Sequence, residues 1–177
     1  MSLAAAESTL LLIDLQQRLM PSIAGAEAVV ANARRLAEAA RLLGVPVLAT
    51  EQNPAGLGGN VTEIAALASR TLAKNFFDAT READFARFLP PERPRVVVAG
   101  CETHVCVMQT VLGLLKSGRR VALVRDAVGS RSEVNRDAAL ARAERHGADL
   151  VTTEMVIFEW LETCDHPHFR EALRMVK

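Results

Sequence analysis

Three stretches of this chain end in residues whose types could do chemistry together. Asp14 follows the apolar run 9–13, Lys74 closes the run Thr71-Leu72-Ala73, and Gly100-Cys101-Glu102-Thr103-His104-Val105-Cys106 follows the apolar run 95–99. A carboxylate beside a thiol can take the thiol proton as sulfur attacks and return it to a leaving group. A nearby lysine would lower the pKa values of both. Cys106 falls near a helix start, where unpaired N–H groups favour a thiolate. Each residue also has a plain structural use. Cys106 could be a small buried hydrophobe, Asp14 could cap a turn, and Lys74 could sit on a solvated edge. Cys101 closes an apolar strand and reads as structural. Cys164, near His166 and His168, lacks a fourth ligand and a rigid frame for a metal.

These residues need elements to position them, and apolar runs alternate with amphipathic segments along the chain. Strands are expected at 9–13, 45–49, 70–73, 95–99, 120–124 and 149–152. Helices are expected at 27–43, closed by Gly44, then at 62–68, 81–89, stopped by Pro90 and Pro91, and 104–116, closed by Gly118. Ser130 with Glu133 reads as a capping box opening a helix to His146, and 155–161 and 169–175 complete the set. The Gly and Pro content of 51–60 predicts an irregular loop. The pattern predicts a three-layer α/β/α fold with a six-stranded, mostly parallel sheet in the order 3-2-1-4-5-6. Ligands bind such sheets where the strand order reverses, here between strands 1 and 4. Asp14 and the 100–106 turn flank that crevice. Strand 3 is not adjacent to strand 1, so Lys74 must reach across ~10 Å of sheet.

Length and charge narrow the function classes. At 177 residues the chain is expected to form one domain, 1–177. Twenty-one Lys plus Arg balance 21 Asp plus Glu, which gives no reason to expect a nucleic-acid or membrane partner. The N-terminus lacks the basic region of a secretory signal, so a cytoplasmic location is expected. Three cysteines fit no disulfide framework.

Four segments together resemble a known family. They are Leu12-Ile13-Asp14-Leu15-Gln16, Ala73-Lys74-Asn75-Phe76-Phe77, Val98 through Val107, and Asp126-Ala127-Val128-Gly129-Ser130. Their combination is similar to the isochorismatase-like cysteine hydrolases, from residue 10 to about 158. Thr50-Glu51-Gln52, Gly56-Leu57-Gly58 and the 100–106 segment most resemble the isochorismatase-domain-containing branch.

The resemblance implies an Asp-Lys-Cys triad at Asp14, Lys74 and Cys106. It also implies a cis peptide at Cys101–Glu102, with an oxyanion hole from the N–H groups of Glu102 and Cys106. The expected reaction is hydrolysis of a small amide, ureide or carbamoyl compound through a thioester. Gln16, Phe77, Thr103 and His104 are candidate pocket residues. Nicotinamidases of this superfamily hold a metal through an acid and histidines after strand 2. Here Thr50-Glu51-Gln52-Asn53-Pro54 has no histidine, so neither metal nor cofactor is expected. The implied partners are a small-molecule substrate and further copies of the chain, as a dimer or larger oligomer. Two other readings stay open: a vinyl ether hydrolase using Asp14 as acid without Cys106, and a catalytically idle binding or assembly protein.

Overall fold

The computed structural model describes residues 3–176. Six strands, β1 (Ser8–Ile13), β2 (Val47–Gln52), β3 (Arg70–Lys74), β4 (Arg95–Cys101), β5 (Arg120–Gly129) and β6 (Asp149–Val151), form one sheet. Its order is β3-β2-β1-β4-β5-β6, and every pair is parallel. The architecture is the α/β arrangement expected from the alternating pattern.

Parallel strands covered on both faces read as nearly continuous apolar runs, because successive side chains point to opposite sides. In β1, Leu10 and Leu12 enter one core while Leu11 and Ile13 enter the other. Val97 and Ala99 of β4 join the first, Val96 and Val98 the second. Complete burial of such a Leu or Val contributes about 1.5–3 kcal/mol each, as an upper bound. The first core is closed by α1 (Ala26–Leu42), α7 (Thr153–Leu161) and α8 (Phe169–Val176), and the second by α4 (Phe85–Phe88), α5 (Met108–Lys116) and α6 (Glu133–Arg145).

The structure departs from the sequence expectation at several boundaries. β2 runs on through Glu51 and Gln52, because Gln52 pairs in register with Lys74 of β3. The segment expected to be irregular contains one helical turn, α2 (Pro54–Leu57), with Pro54 in the first turn, where its missing N–H costs nothing. The helix expected at 62–68 shortens to α3 (Thr62–Ala65), and that at 81–89 to a 3-10 turn followed by α4. The capping box does not form: the N-cap of α6 is Ser132, and the Ser130 hydroxyl contacts His104 instead. The helix expected from 104 begins as a π-helical turn, Thr103–Val107, before α5.

Candidate active site

Asp14 is the first residue beyond β1, and it adopts a left-handed backbone conformation at φ 50° that few non-glycine residues enter. The bend turns its carboxylate into the sheet's upper edge, where it is fully buried. Thr50, at the position of β2 paired with Ile13, donates its hydroxyl to Asp14 Oδ1 at 2.6 Å. Lys74 Nζ meets Oδ2 at 2.8 Å, and that oxygen has no other partner among the described residues. Lys74 is itself only 1 % exposed. Its reach from β3 is bridged by the intervening strand, since Nζ also donates to Gln52 Oε1 at 2.6 Å.

Across β1 the partner of Ile13 is Gly100, at φ 124°. A Cβ there would lie 2.0 Å from the Ile13 carbonyl oxygen, so only glycine allows β4 this approach. The peptide between Cys101 and Glu102 is cis. The Glu102 carbonyl then accepts from the amides of both Val105 and Val107, at 3.1 Å each, and the second of these bonds marks the π turn. Such turns insert one residue into the helical ladder and recur at functional sites. The residue between those two amides is Cys106.

The Cys106 thiol is 6 % exposed, lies 3.8 Å from Gln52 Oε1 and faces both Asp14 and Lys74. Burial pushes it up from an ordinary 9.0 to about 12, with the Asp14 carboxylate pushing the same way and Lys74 opposing. Burial and the neighbouring Asp14 carboxylate therefore work against the thiolate expected from a helix start, and Lys74 works for it. The resting group is a neutral thiol beside a carboxylate. Cys101, wholly buried behind it, is likewise pushed up to about 12 by burial, and Cys164 is exposed.

Asp14 and Cys106 open onto a cavity of about 480 Å³ whose walls include Leu19, Leu57, Phe77 and Val105, with Arg18, Ser22, Gln52, Glu102 and Arg131 as its polar lining. Glu102 is held from two sides, by Arg131 Nε at 2.5 Å from Oε1 and by His104 Nε2 at 3.6 Å from Oε2. His104 Nδ1 contacts Ser130 Oγ at 3.0 Å.

Of the other sequence candidates, only Phe77 reaches the cavity wall, half exposed at its mouth. Gln16 does not: its side chain is spent on the Gln52 backbone and the Gly58 carbonyl, tying the loop after β2 to β1. Thr103 is buried with no partner for its hydroxyl among the described residues, and His104 lies against Glu102. Sequence reasoning missed Thr50, Gln52, Arg18 and Arg131. Thr50 and Gln52 carried a signal, since they follow the second apolar run as Asp14 follows the first. Among the described residues, no three His, Cys, Asp or Glu side chains converge as a metal-ligand set. Nor is any described helix long and apolar enough to cross a membrane.

A model of the isochorismatase domain matches residues 8–155, a span that holds every residue named above as lining the cavity. The chain belongs to the isochorismatase domain family. Among its relatives, isochorismatase domain-containing protein 2A of Mus musculus is 39% identical over 170 residues, covering 96% of this chain and 82% of the mouse protein. Isochorismatase domain-containing protein 2 of Homo sapiens is 38% identical, covering 96% of this chain and 83% of the human one. Among solved structures, that of MAR1 ribonuclease from Caenorhabditis elegans matches with a TM-score of 0.93 at 34% identity, over 99% of this chain and 92% of that one. YcaC from Pseudomonas aeruginosa, solved with hexane-2,5-diol and covalent acrylamide, matches with a TM-score of 0.90 at 27% identity, over 98% and 91%.

Proposed function

We propose that this member of the isochorismatase domain family is a cysteine hydrolase of a small amide, ureide or carbamoyl compound, with Asp14, Lys74 and Cys106 as its triad. The observation that carries the reading is a wholly buried carboxylate, paired to a wholly buried lysine, beside a thiol that opens onto a cavity. A buried ion pair is a poor device for stability alone. Next to a nucleophile it supplies a base held in fixed geometry.

The raised thiol pKa suits this division of labour. Cys106 Sγ attacks the carbonyl carbon while its proton passes to Asp14 Oδ2. The oxyanion that forms is assigned to the backbone N–H groups of Glu102 and Cys106. The C–N bond then breaks, Asp14 returns the proton to the departing nitrogen, and a thioester remains. A water loses its proton to Asp14 as its oxygen attacks the thioester, and the proton goes back to sulfur as the acid leaves. Lys74 holds the carboxylate and compensates its charge. The covalent acrylamide of the P. aeruginosa relative supports a reactive group in this fold.

The test is ammonia release from a panel of small amides, ureides and carbamoyl amines, with Cys106→Ala as the blank and isochorismate and RNA as further substrates. Turnover of an amide that vanishes in Cys106→Ala supports the reading. Turnover of isochorismate that survives Cys106→Ala would replace it with acid catalysis by Asp14. RNA is included because the C. elegans relative is named a ribonuclease. The proposal extends to a homo-oligomer without resident metal or cofactor, working on small molecules in the cytoplasm.

A further inference from the structure

The charges around the cavity do not cancel. Asp14 is matched by Lys74 at 2.8 Å, and Glu102 by Arg131 at 2.5 Å. Arg18 remains. Its Nη1 donates to the neutral carbonyl of Gly56 at 3.0 Å, and among the described residues no carboxylate lies within ion-pair distance. The side chain is not merely passing through the region, because the Arg18 amide bonds the Leu57 carbonyl at 3.2 Å and fixes the residue against the α2 turn. Leu57 and Leu19, beside it, are apolar wall. A guanidinium held at the rim of a cleft with low-dielectric walls acts on an incoming ion more strongly than the same group on an open surface.

We infer that Arg18 selects substrates whose far end carries a carboxylate, so that the compound hydrolysed is an acid-bearing amide with a short apolar body. This rests on the reading of Cys106 as nucleophile given above. One unmatched positive charge suits a monoanion, and a guanidinium offers two parallel N–H donors to the two oxygens of a carboxylate. The reacting carbonyl lies at Cys106, the apolar body lies against Leu19, Leu57 and Val105, and the carboxylate lies at the mouth. Arg131 is not the selector, since its charge is already matched by Glu102 through Nε.

The inference is tested without a known substrate by alkylating the whole protein in parallel with iodoacetate and iodoacetamide at one pH. Each reagent forms a carbon–sulfur bond with loss of iodide, and they differ in carrying a carboxylate or a neutral amide. Rates are read at each cysteine by mass spectrometry, with exposed Cys164 as the internal reference. The iodoacetate to iodoacetamide ratio at Cys106, relative to that at Cys164, should fall about three- to tenfold in Arg18→Met and fall less in Arg18→Lys, which keeps the charge but loses the paired donors. Arg18 is exposed, so neither change threatens the fold. As a second reading, succinamate should protect Cys106 from iodoacetamide at a lower concentration than its neutral methyl ester in the wild type, and at the same concentration in Arg18→Met. Alkylation of Cys106 by both reagents with a ratio unmoved in Arg18→Met would overturn the anion selectivity while leaving the nucleophile in place. Silence of Cys106 to both would overturn the nucleophile and the selectivity together.

Discussion

Asp14 has a neutral thiol on one side and an ammonium on the other, and the two neighbours pose different demands. Cys106→Ala removes the proposed nucleophile and should lower kcat by about a thousandfold or more with the fold intact, checked by single-turnover product release beside a circular dichroism spectrum. Lys74→Met removes the partner of a buried carboxylate, so it should lower stability by about 3–5 kcal/mol as well as abolishing turnover. Urea denaturation decides it; an unchanged midpoint would show that the ion pair does not hold the carboxylate in place. Cys101 and Cys106 add a pH dependence. Their folded values, about 12, lie above the ordinary 9.0, so both states keep the proton below pH 9 and stability there is complete. Between pH 9 and 12 the unfolded chain loses protons that the folded chain retains, and stability should fall by about 1.4 kcal/mol per pH unit for each thiol. Urea midpoints between pH 8 and 11 should show that slope, and Cys106→Ala should flatten it by one thiol's share.

At the level of elements, the meeting of β1 and β4 depends on one missing side chain. Gly100→Ala would drive a Cβ to 2.0 Å from the Ile13 carbonyl oxygen, so the strands must part at the crevice. The expected loss exceeds about 3 kcal/mol, at the top of the range for single changes, and is read by thermal melting. The fold class was legible in the alternation of apolar runs with amphipathic segments, the order 3-2-1-4-5-6 is the common one for such sheets, and the apolar runs Leu10–Ile13 and Val96–Ala99 suit the central places of β1 and β4. Asp14, Lys74 and Cys106 could be nominated from the sequence because each ends an apolar run or opens the helix after one, and the structure brings the three together. The support around them was not legible. Gln16 and Gln52 are both glutamines near strand ends, yet one serves the backbone and the other bridges Lys74, a difference made by the register of β2 on β3 that no local pattern encodes. Ser130 looked like a helix cap by spacing, and a tertiary contact with His104 takes its hydroxyl instead. The π turn was hidden because its single extra residue leaves the apolar periodicity of α5 undisturbed.

For the molecule as a whole, 21 basic residues balance 21 acidic ones, and the cavity of about 480 Å³ has room for the small compound proposed above. Met155, Phe158 and Phe77 stay exposed on a single copy, and an assembly of copies would cover such side chains. Light scattering after size exclusion should give a mass of at least twice 19.2 kDa. A monomer at tens of micromolar would contradict the oligomer.

The ion pair between Lys74 and Asp14 has a further consequence for how the protein fails. Lys74 is the sole fully buried residue of β3, and β3 is the sheet's outermost strand on that side. Edge strands fray before centres do, through local openings that cost far less than global unfolding. Each such opening pulls the lysine out of the site while β1 and β4, carrying the acid and the thiol, stay folded. Heating should therefore silence the protein in two stages, with reactivity fading several degrees below the main melt and returning fully on cooling. Amide hydrogen exchange at residues 70–74 should quicken over the same interval as the early loss.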